Sequence, residues 1–420
     1  MNKLNYKKTF LLGFGFFAVS ITWSIYNAFV PKILSSFIHS ATLIGFIMTI
    51  DNYLALFIQP AVGLRSDKIS TRFGKRMPFI MVGMPLATLF LVLLANYHNL
   101  ATLLVFLVLM NLSMSIFRSP VIALMPDLTH SEHRSKANSV INLMGGIGAV
   151  IAYFVGSLLW DKSQKYPFYL AAVLMAVSFF VLYTFIKEKR DVTGYESSSG
   201  QVKIGLLEGL RATGNAKNVT YLLLAICTWF IGYQGVEAFL TLYGVNLLGL
   251  KTSVAAMSFT FISLSFLLFA LPAGIMGAKF GKKKTIIAGV AGIIISFAAL
   301  ALLRNLLAVR AVLVVTGFFW ALININSYPF VADMAPQGQT GVYTGLYYLA
   351  SSVAAIVSPP LLGALIDIAG YAYMFAYASV CFVLALVFIL KVKEFKPHNI
   401  INPQGALALD LPDSEQTVGK

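Results

Sequence analysis

The chain has 420 residues, of which 58% are hydrophobic and only 11% charged, and its mean hydropathy is +0.81. A soluble domain carries roughly a quarter charged residues, so this composition excludes a water-covered globular protein. The net charge of +15 does not mark a nucleic-acid binder, because the basic residues are confined to short segments between long apolar runs.

Those runs are long enough for roughly 20 apolar residues each, the length that crosses about 30 Å of hydrocarbon. The first follows three lysines; it is too long for a signal-peptide core and lacks a small-residue cleavage pattern, so it reads as a span. In chain order the predicted spans are 10–30, 41–64, 77–97, 100–125, 137–160 and 167–186, then 219–244, 253–276, 285–303, 307–333, 343–366 and 371–392. Between the two groups of six lies a polar stretch, 187–218, containing the linker-like sequence YESSSG at 195–200; a polar tail follows from 396 to 420. The predicted organisation is an all-α membrane protein with a six-helix bundle over 1–186, a central loop over 187–218, a second bundle over 219–395 and the tail.

Charge orients these bundles. Lys32, Lys162, Lys165, Lys251, Arg304 and Arg310 fall in loops on one side, and Arg118 falls inside a span. All other lysines and arginines fall on the opposite side, which places both termini in the cytoplasm of a multi-pass cell-membrane protein.

The halves resemble each other. After span two comes a proline, a glycine and a basic turn, Pro60, Gly63 and RFGKR at 72–76; after span eight come Pro272, Gly277 and KFGKKK at 279–284. Spans four and ten also end alike, in Pro120 with Asp127 and Pro329 with Asp333. A parallel six-plus-six repeat that holds its ligand at the midplane between halves is the architecture of the major facilitator fold, so twelve helices in two pseudo-symmetric bundles are expected.

Residues 59–80 (QPAVGLRSDKISTRFGKRMPFI) resemble the second cytoplasmic loop of sucrose/proton symporters, within the wider glycoside–pentoside–hexuronide:cation symporter group. Residues 120–129 (PVIALMPDLT), 328–333 (YPFVAD) and 338–345 (GQTGVYTG) are similar to other loops of that group. The resemblance implies proton-coupled uptake of a sugar or a related polyhydroxylated solute, with a proton favoured over sodium and a monomer as the working unit. It breaks where coupling residues are concerned. The aspartate and arginine that sucrose carriers place in span four match Asn111 and Ile122 here, with Arg118 nearby, and the position before Pro60 is Gln59 where melibiose-type relatives carry an aspartate.

Charges inside the spans carry the remaining expectations, because each costs at least roughly 2.5–3.5 kcal/mol at bilayer depth unless it faces a cavity or partner. Asp51 lies near the middle of span two and can hold a proton. Arg118 cannot lose its own, so it would modulate a carboxylate or bind solute oxygens. Glu237 lies late in span seven, where Gly235 and Gly244 are expected to let the helix unwind. These three are the expected proton-coupling residues. Their plainer readings are a packing aspartate, an arginine that snorkels to the headgroups and a glutamate at the outer water interface. Asn52, Asn111, Tyr233, Gln234, Asn324, Asn326 and Tyr328 are candidate solute binders, since amides and hydroxyls donate and accept, although polar residues also join helices. Trp23, Trp229, Tyr233 and Trp320 are aromatic candidates for stacking on a sugar ring.

Gly63, Asp67, Arg72, Asp127 and Arg134 are the expected cytoplasmic gate, while Lys282 to Lys284 fit simple topology. Cys227 and Cys381 are isolated inside apolar runs, all five histidines fall in loops or the tail, and no H-E-x-x-H, P-loop or G-x-S-x-G motif has a supporting context. No metal, cofactor or enzymatic activity is expected. Proton-coupled efflux of amphipathic compounds and a non-transporting membrane sensor are the competing readings.

Overall fold

The computed structural model describes residues 4–130, 133–188, 216–335 and 340–393. Most of the expected central loop, the whole polar tail, and Gly338 and Gln339 of the motif before span eleven lie outside the described residues. Among the described residues twelve helices are long and apolar enough to cross a membrane: span one Tyr6–Leu34, two Ala41–Lys68, three Met77–Ala95, four Leu100–Leu128, five Lys136–Trp160 and six Tyr166–Phe185. Then come seven Lys217–Asn246, eight Thr252–Phe280, nine Lys282–Leu302, ten Leu306–Asp333, eleven Gly341–Ala369 and twelve Tyr371–Lys391. The shortest, with 19 residues, still covers roughly 28 Å at 1.5 Å per residue.

Two spans depart from the expected unbroken helix. Span two is interrupted at Thr49, between Ala41–Met48 and Ile50–Lys68, and span eight at Met257, between Thr252–Ala256 and Ser258–Phe280. Neither site has the proline or glycine that would announce a break. The Thr49 N–H turns back to the Phe46 carbonyl at 3.2 Å and its hydroxyl donates to the same oxygen at 2.9 Å. A membrane helix tolerates such irregularity where protein, not lipid, surrounds it, and Thr49 is fully buried. Both breaks fall in the first third of their spans.

The repeat extends to side chains. Arg76, at the start of span three, donates from Nε to Asp127 at the end of span four at 2.8 Å, and Lys282, at the start of span nine, pairs with Asp333 at the end of span ten. In each half the partners are 51 residues apart. Gly74 and Gly281, the glycines of the two Phe-Gly-Lys turns, have φ of 108° and 94°, a region that residues with a Cβ rarely adopt. That conformation is why both turns carry glycine.

Arg76 organises the basic end of the first half. It is 8% exposed, pairs with Asp67 as well as Asp127, and donates to the Ser66 hydroxyl. The carboxylate of Glu188, just after span six, receives the Arg76 N–H at 3.0 Å and also the Lys75 N–H. Burial holds the Glu188 carboxyl above the usual range, against the pull of those backbone donors and with help from the Asp127 charge. In the second half Asn218 exchanges two hydrogen bonds with the Lys393 backbone, at 2.9 and 2.6 Å, and ties span seven to the end of span twelve.

Each of these basic-end contacts stays within one half. At the opposite face the halves meet. Asp367, near the end of span eleven, accepts from the Ser40 hydroxyl at 2.7 Å, the Ala41 N–H at 2.6 Å, and the Thr42 N–H and hydroxyl at 3.0 and 2.6 Å. These N–H groups have no partner within their own helix, and a carboxylate beside them also meets the positive end of the helix dipole. Gly45 and Gly363 permit this approach: a Cβ on Gly45 would strike the Pro359 carbonyl, and one on Gly363 the Ala41 backbone. Lower down, Tyr153 of span five stacks on Phe259 of span eight at 4.7 Å. These contacts join the two halves at the mouth opposite the basic end.

Burial sets the two ion pairs apart energetically. Arg76→Ala removes charge-assisted bonds from a shielded guanidinium, a loss of about 1.5–3 kcal/mol. Lys282→Ala breaks a pair whose aspartate is 61% exposed, a loss below about 1 kcal/mol. Thermal unfolding of the two purified variants should show the larger drop in Tm for Arg76→Ala; equal drops would contradict this ranking.

Candidate functional site

The break in span two places Asp51 in the first turn of its second segment, where Asn52 Nδ2 donates to Asp51 Oδ1 at 2.9 Å. From there Asp51 and Asn52 line a cavity of about 220 Å³ together with Arg118 of span four and Gln234 and Glu237 of span seven. Trp23 and Asn27 of span one complete the polar wall, and Ala355 and Pro359 of span eleven close it. Pro359 has no N–H to offer the Ala355 carbonyl one turn earlier. A second lobe of about 250 Å³ shares Trp23, Asn27, Arg118 and Glu237, and adds Ser20, Ser24, Tyr153 and Ser263. Both halves of the protein contribute to both lobes.

Three charged side chains therefore meet inside the span region, as the cost of burying them requires. Arg118 lies within electrostatic reach of Asp51 and of Tyr348 on span eleven, yet no ion pair joins Arg118 to a carboxylate among the described residues. Glu237 is held differently: Asn27 Nδ2 donates to Glu237 Oε1 at 3.1 Å across the gap between halves. A fixed cation and two carboxylates with neutral donors around them can take up a proton and can bind hydroxyl groups. Behind this wall the Asn111 amide and the Tyr26 hydroxyl are buried side by side, with each other as the neighbouring polar group. Asn111 supports the cavity from the second layer and does not line it.

The remaining expected solute binders sit elsewhere. Tyr233 stacks face to face on Trp320 at 3.8 Å, a packing contact inside the second half, although it adjoins Glu237 electrostatically. Asn326 is 3% exposed and gives both amide hydrogens to carbonyls, Ala273 at 3.0 Å and Leu322 at 2.9 Å. Its amide fills the space left by Gly277, so it joins span ten to span eight and is unavailable to a solute. Asn324 accepts at its carbonyl from the Ser327 hydroxyl and is not part of the cavity wall. Tyr328 lies toward the basic end, against the rings of Tyr347 and Tyr348 and 3.4 Å from the Thr344 hydroxyl.

Span seven does not unwind at its glycines. The helix is continuous from Ala216 to Asn246, because Gly235 is used for close packing against Ser358 and Leu362 and Gly244 against Ala255. The expected gate residues fall within the first half. Gly63 brings span two close to Ser119 of span four, Asp67 and Asp127 share Arg76, Arg72 stands over the Phe73 ring at 4.7 Å, and Arg134 donates to the Pro126 and Thr129 carbonyls. A carboxylate received by a helix N-terminus of the other half is present instead at the opposite mouth, in Asp367. The sequence places Arg76 in the basic turn at 72–76 without singling it out, and Asp367, Asn27 and Tyr153 are not among the expected residues. Of these only Asn27 carried a usable signal, an amide in mid-span one turn after Trp23.

A family model described as Major Facilitator Superfamily matches residues 12–265 and 252–409. Among curated proteins the chain is 29% identical over 163 residues to "Proton-associated sugar transporter A" of Mus musculus, covering 35% of this chain and 22% of that protein. It is 24% identical over 234 residues to a sucrose transport protein of Arabidopsis thaliana, covering 47% and 39%. The chain thus spans well under half the length of these relatives. Among solved structures it superposes on the nucleoside transporter NupG with a TM-score of 0.75 at 15% identity, covering 93% of this chain and 100% of that one. A bacterial homolog of the human lysosomal transporter Spinster, inward-facing and occupied, gives 0.75 at 13% identity over 93% and 97%. At these identities the structural likeness speaks for the fold. The family match covers nearly the whole chain, and with twelve spans in two repeated halves the chain belongs to the major facilitator superfamily, a family of transporters and not of enzymes.

Proposed function

We propose that this protein is a secondary active transporter that couples movement of a sugar or related polyhydroxylated solute to protons, working by alternating access between its two halves. The observation that carries the reading is that Asp51, Arg118 and Glu237 line a single cavity built from both halves. Asp51 is the proton carrier. Arg118, fixed in charge, tunes it and receives solute oxygens, and Asn52, Gln234 and Trp23 supply neutral contacts. The name of one relative, a proton-associated sugar transporter, favours H⁺ over Na⁺. The names of the relatives, a proton-associated sugar transporter and a sucrose transport protein, support the solute class. The basic loops orient both termini to the cytoplasm of the cell, so the mouth closed by Asp367 faces outward, and a monomer holds the complete site.

Alternating access requires that the joint at the opposite mouth open once per cycle. Asp367 and the N-terminus of span two form that joint. Gly63, Asp67, Arg72, Asp127 and Arg134 act on the other mouth, with Arg76 holding Asp67 and Asp127 until the halves close there.

Purified protein in liposomes, given labelled sugars with and without an imposed pH gradient, tests the coupling. Asp51→Asn and Arg118→Ala should abolish accumulation while both variants remain folded in the membrane; uphill uptake at the normal rate by either would remove that residue from the mechanism. The gate has its own test. In a variant lacking Cys227 and Cys381, a cysteine at Met48 reports opening of the outer mouth by its reaction with a membrane-impermeant maleimide. Adding Asp367→Ala should speed that reaction about tenfold, the effect of losing roughly 1.4 kcal/mol of closure; an unchanged rate would contradict the gate.

A further inference from the structure

We propose that Asn27 is the positioning residue of Glu237, and that their hydrogen bond is an inner lock that keeps the outer side of the cavity shut until Glu237 takes up a proton. The inference rests on the alternating-access reading, but not on the identity of the solute.

Asn27 and Glu237 belong to different halves, and both line both lobes of the cavity. The 3.1 Å bond from Asn27 Nδ2 to Glu237 Oε1 spans the gap that rocking of the halves must open. Asp367 makes the same kind of contact at the mouth: a carboxylate of the second half received by neutral donors of the first. The two joints differ in environment. Asp367 is exposed, whereas Glu237 is set in a protein-walled cavity, where a bond between an amide and a carboxylate is stronger than in water.

The bond fixes which oxygens remain for a ligand. Asn27 Oδ1 and Glu237 Oε2 have no described partner, so one acceptor from each half is left in the shared cavity. A solute that donates hydroxyl groups to both would hold the halves together. Protonation of Glu237 would weaken the amide–carboxylate bond and release them. The groups that face Glu237 are Asn27 of span one, Arg118 of span four, Tyr153 of span five, and Tyr233 and Gln234 of its own helix, with Asp51 of span two within electrostatic reach. Among these only Asp51 adds a second negative charge, and Arg118 offsets it.

Labelling of the Met48→Cys reporter from outside tests the lock without any solute. Asn27→Ala should raise the labelling rate about 5- to 10-fold, as expected for loss of one charge-assisted hydrogen bond. Asn27→Asp should show little change at low pH, where two carboxyl groups share a proton, and a rising rate as pH increases and both ionise and repel. The exchanged pair, Asn27→Asp with Glu237→Gln, restores one amide and one carboxylate and should bring labelling back to the parent level with no new pH dependence. Unchanged labelling in Asn27→Ala overturns the proposal. So does failure of the exchanged pair to recover when its Tm matches the parent, since the effect would then be one of packing. Glu237→Gln alone offers Asn27 the neutral acceptor that protonation would leave, so it should label faster than the parent at high pH and without pH dependence; parent-like labelling there also overturns the proposal. Absence of sugar uptake by the parent protein would sink the solute reading and leave these outcomes intact.

Discussion

A charge cannot stand in hydrocarbon, and this chain puts three of them at the depth where hydrocarbon is unavoidable. The fold answers by surrounding Asp51, Arg118 and Glu237 with each other, with amides and hydroxyls, and with space. Because the three come from spans two, four and seven, the space has to lie between the two halves, and the halves have to be separately stable. The Arg76–Asp127 and Lys282–Asp333 pairs, with the positive-φ glycines that form the turns beside them, serve that second requirement. They brace each bundle at its basic end without tying one bundle to the other.

What holds the halves together is of another kind. At the opposite mouth and in the cavity the cross-half bonds run from neutral donors of the first half to carboxylates of the second. Such bonds are worth a few kcal/mol at most and can be exchanged for water, a proton or a solute hydroxyl, so they suit a joint that must open repeatedly. A salt bridge fully buried at the same place would be far harder to break once formed. The division between pairs inside bundles and exchangeable bonds between them is what the proposed rocking about a fixed site would require.

Much of this was legible in the sequence, for physical reasons that can be named. Hydropathy marks every span, because lipid demands a continuous run of apolar residues, and a lone charge in such a run stands out, which is how Asp51, Arg118 and Glu237 were found. The repeated Phe-Gly-Lys turns and the paired span ends at Asp127 and Asp333 were visible too, although not that a basic residue of each turn binds the aspartate of the same half. Amides were harder. Asn27, Asn111 and Asn326 all lie in apolar runs, and only helix rotation decides that the first lines the cavity, the second lies behind it and the third joins span ten to span eight. Asp367 sits at a span end, where an aspartate looks like an ordinary interface residue until span two is placed against it. The break at Thr49 was invisible because it comes from burial and local hydrogen bonding and not from proline or glycine.

The account stands on the three charges sharing one water-filled space between the bundles. Cysteines placed singly at positions 51, 118 and 237, in a chain lacking Cys227 and Cys381, measure that directly through their reaction with charged, lipid-insoluble thiosulfonates. The account predicts that all three react and that a transported solute slows all three together. Reaction only with lipid-soluble reagents at any of them would place that side chain against acyl tails and contradict the shared site.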